Sequence, residues 1–195
     1  MSHGVRPVPA NPAARLEAPR VGVRFGLKGG DAPAWLERHG IPVPDAPNRI
    51  AHWQAGRCLR LGHGEFLIEM DEPGPYPLAG DTGGGGTAHV WPLLRSDHSL
   101  LLTGSAWPAL LAQVCSFDFR RFRDEPGLAV MTLMAGIAVT VVAERPAPPA
   151  SVAESAAAAG DAPAALRLWC DASYAGYLDH CLQTLAAPSS QGDRR

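Results

Sequence analysis

The sequence predicts an α+β fold in which helices cover a mostly antiparallel sheet. Strand-like runs of apolar residues recur along most of the chain with hairpin punctuation between them. A few stretches switch to helical spacing, and no internal repeat of solenoid period is visible. The clearest stretch is 100–119, LLLTGSAWPALLAQVCSFDF, which changes period once and places turn chemistry at the change. Residues 100–103 read as a buried strand, Gly104 lets the backbone turn, and Ser105 can cap a helix beginning at Ala106. Pro108 falls in the first helical turn, where its missing N–H has no helical partner to lose. Trp107, Leu110, Leu111 and Val114 then form one apolar stripe, with Gln113 off it. An anion site at that helix start would need further glycines and a lysine, so the unit reads as core.

A chain of 195 residues is long enough for one well-filled core. Its 17 basic and 19 acidic residues give a net charge of -2, which argues against nucleic acid because phosphate neutralisation needs a clustered basic surface. Charged residues are only 18% of the chain while apolar residues are 46%, and the 21 glycines and 19 prolines concentrate in a few places. The folded part is therefore richer in apolar residues than the average. That composition suits a subunit that covers much of its surface with partners, and it equally suits a genome biased towards Ala, Gly, Pro and Arg. Cys58, Cys115, Cys170 and Cys181 form no CxxC pair and no zinc-ligand spacing, so they read as buried free thiols. With no apolar leader at the N-terminus, a reducing cytoplasm is the expected compartment. The uncharged run 128–143 is short for a membrane span, contains Gly136, and is rich in β-branched residues. It reads as buried strand, with Gly136 as a bulge or break, and no membrane contact is expected.

Taken in order, residues 1–19 read as a disordered arm. Val21, Val23 and Phe25 alternate as a half-buried strand that GLKGG at 26–30 interrupts. Asp31 and Pro33 start a short helix through Trp35 and Leu36 that Gly40 closes, and Pro42, Pro44 and Pro47 stiffen the connection after it. Residues 50–53 and 58–61 make a hairpin, and 65–70 a third strand. The Gly- and Pro-rich stretch 71–89 reads as a flexible insert, as does 144–163. Phe117 and Phe119 alternate with polar residues as an extended segment, and Arg120, Arg121 and Arg123 are compensated by Asp124 and Glu125 in a solvated loop. Residues 166–170 give a last strand. Asp171 or Ser173 can cap a closing helix whose apolar face collects Tyr174, Tyr177, Leu178, Cys181, Leu182 and Leu185. The domain so defined is 20–187, and 188–195 form a frayed tail.

Single residues of chemical interest are few. Lys28 beside two glycines lacks the rest of a phosphate loop, and His52 and His63 have no Ser, Cys or carboxylate in triad order. Glu65 after a glycine turn could serve as a general acid, but one carboxylate defines no acid–base pair. No catalytic residue and no metal ligand is assigned.

Several stretches nevertheless share a pattern. RFGLKG (24–29), Trp35 and Leu36, the prolines 42–47 with Asn48 and Arg49, and RLGHGEF (60–66) resemble the gamma subunit of heterotetrameric sarcosine oxidase. The resemblance continues through RSDHSLLLTG (95–104), VCSFDF (114–119), MTLMAG (131–136) and LWCDASYAGYL (168–178). It implies ferredoxin-like α+β units, as in the folate-binding domain of the glycine-cleavage T-protein. It also implies a non-catalytic accessory chain that binds no cofactor itself. The partners would be alpha, beta and delta subunits, with NAD, FAD, FMN and tetrahydrofolate held there.

Two other readings stay open at this point. A gamma-like subunit of a related N-methyl amino acid dehydrogenase, for example one acting on methylglutamate, would share the architecture. A free-standing folate-binding aminomethyltransferase would need an acidic grip on the pterin and a basic one on the glutamate tail. Asp118, Asp171, Arg24 and Lys28 are available for that by type alone. Tyr174 and Tyr177 are the candidate partner contacts, since each offers an apolar body with a polar tip; the competing reading packs their rings into the core.

Overall fold

The computed structural model describes residues 14–74, 89–144 and 165–186. They form ten strands and four α-helices: β1 (Arg15–Glu17), β2 (Val23–Lys28), α1 (Ala32–Arg38), β3 (Arg49–Trp53), β4 (Gly56–Gly62), β5 (Glu65–Met70), β6 (Trp91–Leu94), β7 (His98–Thr103), α2 (Trp107–Leu111), α3 (Arg121–Asp124), β8 (Ala129–Met134), β9 (Ile137–Glu144), β10 (Ala165–Cys170) and α4 (Ala175–Ala186). The α+β reading holds, with two five-stranded sheets in place of one. Sheet I has the order β1-β7-β10-β9-β8 and sheet II the order β3-β4-β5-β2-β6, and every pairing within them is antiparallel.

Strand alternation sets the layers. On one face of sheet II, Phe25, Leu27, Cys58, Phe66 and Ile68 pack on Ala32, Trp35 and Leu36 of α1. On one face of sheet I, Leu100, Leu102, Val139, Val141, Leu166 and Leu168 pack on Trp107, Leu110 and Leu111 of α2 and on Leu178 and Leu182 of α4. The remaining two faces meet each other through Ile50, Leu59 and Leu67 from sheet II and Ala129, Val142 and Trp169 from sheet I. The result is four layers, helix–sheet–sheet–helix. The sheets also join at one corner, where the Ile50 amide donates to the Gly127 carbonyl at 2.8 Å and the Ala129 amide to the Asn48 carbonyl at 2.9 Å.

Several elements depart from the sequence expectation. Residues 15–17, placed in the arm, form an edge strand with Leu16 opposite Leu102; one apolar residue between two charges is too little to show a period. β2 runs through Gly26 to Lys28, and the turn comes at Gly29, whose φ of +132° favours glycine. The run 128–143 is a hairpin, because Ala135 (φ 50°) and Gly136 (φ 84°) make a two-residue turn of the kind that matches strand twist. Ser105 is not the cap residue of α2, which is Ala106, and the helix ends at Leu111 before Val114. Residues 117–120 are a compact turn leading into α3. Phe117, Phe119 and Phe122 pack there with ring centroids 5.2 to 6.1 Å apart.

Other expectations are met. The hairpin β3–β4, strands β5 and β10 and helix α1 lie where their local patterns put them, and the Asp171 side chain accepts from the Ser173 amide at 2.8 Å. The parts of the two inserts at 75–88 and 145–164, the arm up to 13 and the tail from 187 lie outside the described residues. Among the described residues no helix is long and apolar enough to cross a membrane.

Candidate functional site

The inward faces of the two sheets carry charge as well as apolar side chains. Glu69 on β5 is fully buried. One carboxylate oxygen, Oε1, accepts from Arg57 Nη1 at 2.8 Å and from Arg167 Nη1. The other, Oε2, accepts from Arg24 Nε at 2.8 Å and from the indole N–H of Trp169 at 3.0 Å. Glu144 bridges Arg57 (3.2 Å) and Arg167 (3.1 Å), and Asp71 takes Arg57 Nη2 at 2.9 Å. Arg24 reaches across to β7, donating to Ser99 Oγ at 2.7 Å and to the Asp97 carbonyl. Three arginines therefore stand against three carboxylates.

Burial pushes the Glu69 carboxyl up, but Arg167, Trp169 and Arg24 pull it down further, and the net shift is downward. A carboxylate held ionised with both oxygens saturated has no proton to give and no free lone pair to aim at a substrate. The cluster is a structural tie between sheets. Sequence reading missed it because Arg57 falls in the connection between the runs 50–53 and 58–61, and Arg167 alternates with Leu166 and Leu168 as a solvent-facing residue would; both are buried.

Two clefts open elsewhere. The first, about 410 Å³, lies on the inner face of sheet I; Met131, Leu133, Ala138, Thr140 and Trp169 line it with Asp97 and Asp171. The second, about 590 Å³, lies at the β3–β8 corner between Val43, Pro44, Asp45 and Arg49 and the segment 124–127. Among the described residues no group of three or more His, Cys, Asp or Glu side chains could hold a metal ion.

The residues singled out from sequence are dispersed. Tyr174 and Tyr177 are 50% and 54% exposed. The expectation that they join the apolar face of the closing helix is corrected: Leu178 and Leu182 bury, and the two rings lie on the flank. The Tyr177 hydroxyl donates to the Ala135 carbonyl at 3.2 Å, which sets it against the β8–β9 turn. Lys28 pairs with Glu65 at 3.2 Å, so neither is set into a catalytic pocket. Asp118 is tied to Arg120 at 2.8 Å, which holds its carboxyl down at about 2. Arg24 belongs to the buried cluster. Each of the four groups that a folate site would draw on is thus engaged by a partner of its own: Glu65 for Lys28, Arg120 for Asp118, Ser173 for Asp171 and Glu69 for Arg24. His98, unremarked in the sequence, donates from Nε2 to Asp179 Oδ1 at 2.9 Å and fastens α4 to β7.

All four cysteines are free thiols, Cys58, Cys115 and Cys170 buried and Cys181 partly exposed. Burial pushes Cys58 up to about 12, and burial followed by Asp179, Asp171 and Asp97 raises Cys170. Thiolate, not thiol, attacks disulfides. A disulfide reagent such as DTNB at pH 8 is expected to modify one thiol per folded chain, Cys181, with the others reacting only on unfolding; a fast second equivalent would contradict this.

No family model and no curated protein matches this sequence. A solved structure does: a chain of "Heterotetrameric Sarcosine Oxidase from Corynebacterium sp. U-96 in complex with pyrrole 2-carboxylate" superposes with a TM-score of 0.65, at 21% identity, over 96% of this chain and 91% of that one. The chain has the fold of a heterotetrameric sarcosine oxidase chain. The match runs nearly end to end in both molecules, and it meets the resemblance that the scattered motifs carry. At this identity the sarcosine oxidase match speaks for the fold.

Proposed function

We propose that this chain is a gamma-type accessory subunit of a sarcosine oxidase-type complex. It supports oxidative demethylation of sarcosine by alpha and beta subunits and carries no chemistry of its own. In this reading FAD, FMN, NAD and tetrahydrofolate belong to the partner subunits, a delta subunit completes the assembly, and the complex works in the cytoplasm. The observation that supports it is coverage: 96% of this chain accounts for 91% of one chain of a multisubunit oxidase, so the likeness is to a whole subunit. The exposed large apolar residues Trp91, Leu94, Met131, Leu133, Tyr174 and Tyr177 add to this, since a subunit needs surface for its companions. The free-standing aminomethyltransferase reading gains nothing from the local ties of Arg24, Lys28, Asp118 and Asp171.

The test is co-expression of the tagged chain with alpha, beta and delta subunits of a sarcosine oxidase, followed by size-exclusion chromatography and an assay of sarcosine-dependent oxygen uptake. Activity and flavin absorbance are expected to co-elute with the tag. The chain alone is expected to show no turnover and no heat on titration with tetrahydrofolate. Elution of the chain apart from the flavin subunits, or turnover by the chain alone, would refute the reading.

A further inference from the structure

The edges of the two sheets are not equally protected. β1 is three residues long and places Arg15 and Glu17 at its edge, β6 carries Pro92, and β3 is fastened to the start of β8 at the sheet corner. Short length, charge and proline are the usual devices that keep an edge from pairing with another chain. β8, AVMTLM, has no charge and no proline and lies at the end of sheet I.

Its register shows which backbone groups face outward. Met134 pairs with Ile137 across a two-residue turn, which makes that pair hydrogen-bonded, and the alternation of an antiparallel ladder gives the same role to Thr132 with Val139 and Val130 with Val141. The amides and carbonyls of the alternate residues point away from β9. Two of these outward amides are taken: Ala129 donates to the Asn48 carbonyl at 2.9 Å and Ala135 to the Val114 carbonyl at 2.8 Å. Between them Met131 and Leu133 present N–H and C=O to the outside, with side chains 55% and 63% exposed over the 410 Å³ cleft. Among the described residues a short length of ladder is left open, closed off at both ends by the protein's own backbone.

We propose that a short extended segment of a partner subunit adds to β8 here, pairing with Met131 and Leu133, seating an apolar side chain in the cleft and a lysine or arginine against Asp171. This deepens the reading of the chain as an accessory subunit and rests on it. The chemistry of the occupant follows from the wall: the cleft is lined by Trp169, Ala138 and Thr140, and among the described residues its charged lining is Asp97 and Asp171. Asp97 is matched by Arg95 through both carboxylate oxygens, whereas Ser173 uses only Oδ1 of Asp171. A second copy of this chain pairing β8 with β8 would bring two such acidic walls together, so charge complementarity selects a foreign, basic strand.

The experiment compares hydrogen–deuterium exchange, resolved to single amides by fragmentation, in the isolated chain and in the complete complex. The Met131 and Leu133 amides are expected to slow on the order of 100-fold on assembly, while Thr132, already in the β9 ladder, changes little. In parallel, Met131→Lys and Leu133→Lys are expected to weaken assembly about tenfold or more, with Val21→Lys, an exposed apolar residue ahead of β2, as the control that assembles normally. Thermal unfolding of each isolated variant checks that folding is intact. If the complex forms and the two amides exchange as before, or the β8 variants assemble like the control, this inference fails while the accessory-subunit reading stands. If no complex forms, both fall. A homodimer that protects the same amides overturns the inference in favour of self-pairing.

Discussion

Replacing Glu69 with alanine is expected to lower the unfolding free energy by about 3–5 kcal/mol, the range for breaking a buried ion pair by removing one partner. The carboxylate is fully buried and accepts from Arg24, Arg57, Arg167 and Trp169. Without it three guanidinium groups that cannot deprotonate face one another between the sheets, with Glu144 and Asp71 left to pair Arg57 and Arg167, while Arg24 keeps Ser99 and the Asp97 carbonyl. Urea denaturation of both proteins measures the loss; a difference under about 1 kcal/mol would mean that the cluster is solvated and not buried as described. The pH dependence has a definite sign. The folded-state pKa of Glu69 lies below its unfolded value, so its stabilisation is fully present above the usual carboxylate range and is lost as pH falls through the depressed folded value. The acid limb of a stability profile should therefore be shallower in Glu69→Ala than in the parent protein.

Trp107→Ala is expected to cost a similar amount, about 3–5 kcal/mol, for a different reason. Trp107 is 1% exposed, begins a helix of only five residues, and meets Phe119 edge to face at a centroid distance of 5.8 Å. A single turn and a half of helix has no stability of its own and exists because its stripe is buried. Removing the largest member of that stripe opens a cavity under α2 and takes one wall from the Phe117, Phe119 and Phe122 cluster. Thermal and urea unfolding should both register it. Tyr174→Ala, on an exposed flank, is expected to stay within about 0.5 kcal/mol and so separates core loss from simple loss of an aromatic ring.

What the sequence reveals here depends on whether the cause is local. β5, β10, the β3–β4 hairpin and α1 follow from periodicity and turn residues within ten positions of one another, and each is found in place. The division into two sheets is not local: in sheet II β2 pairs with β6 across the 71–89 insert, and in sheet I β7 pairs with β10 across some sixty residues, so nothing near either strand announces its neighbour. Because strands such as β4 and β10 are covered on both sides, they lack a solvated face, and an inward arginine looks like an outward one. Only its partner, Glu69, distinguishes them, and that partner lies 12 residues from Arg57 and 98 from Arg167. The inward placement of the tyrosines fails for a narrower reason. Helical spacing from Tyr174 to Leu185 describes a broad arc, and sheet I covers only the part of it centred on Leu178 and Leu182.

The distribution of the cluster between the sheets bears on attempts to recombine this fold. Sheet II supplies Arg24, Arg57 and Glu69, and sheet I supplies Arg167, Glu144 and Trp169. Neither half satisfies itself: Glu69 takes guanidinium and indole donors from both sides, and Arg57 reaches over to Glu144. A chimera that grafts one half from a homologue must therefore import a matching set of charges along with it. A graft chosen on hydrophobic shape alone would strand cations in its middle layer.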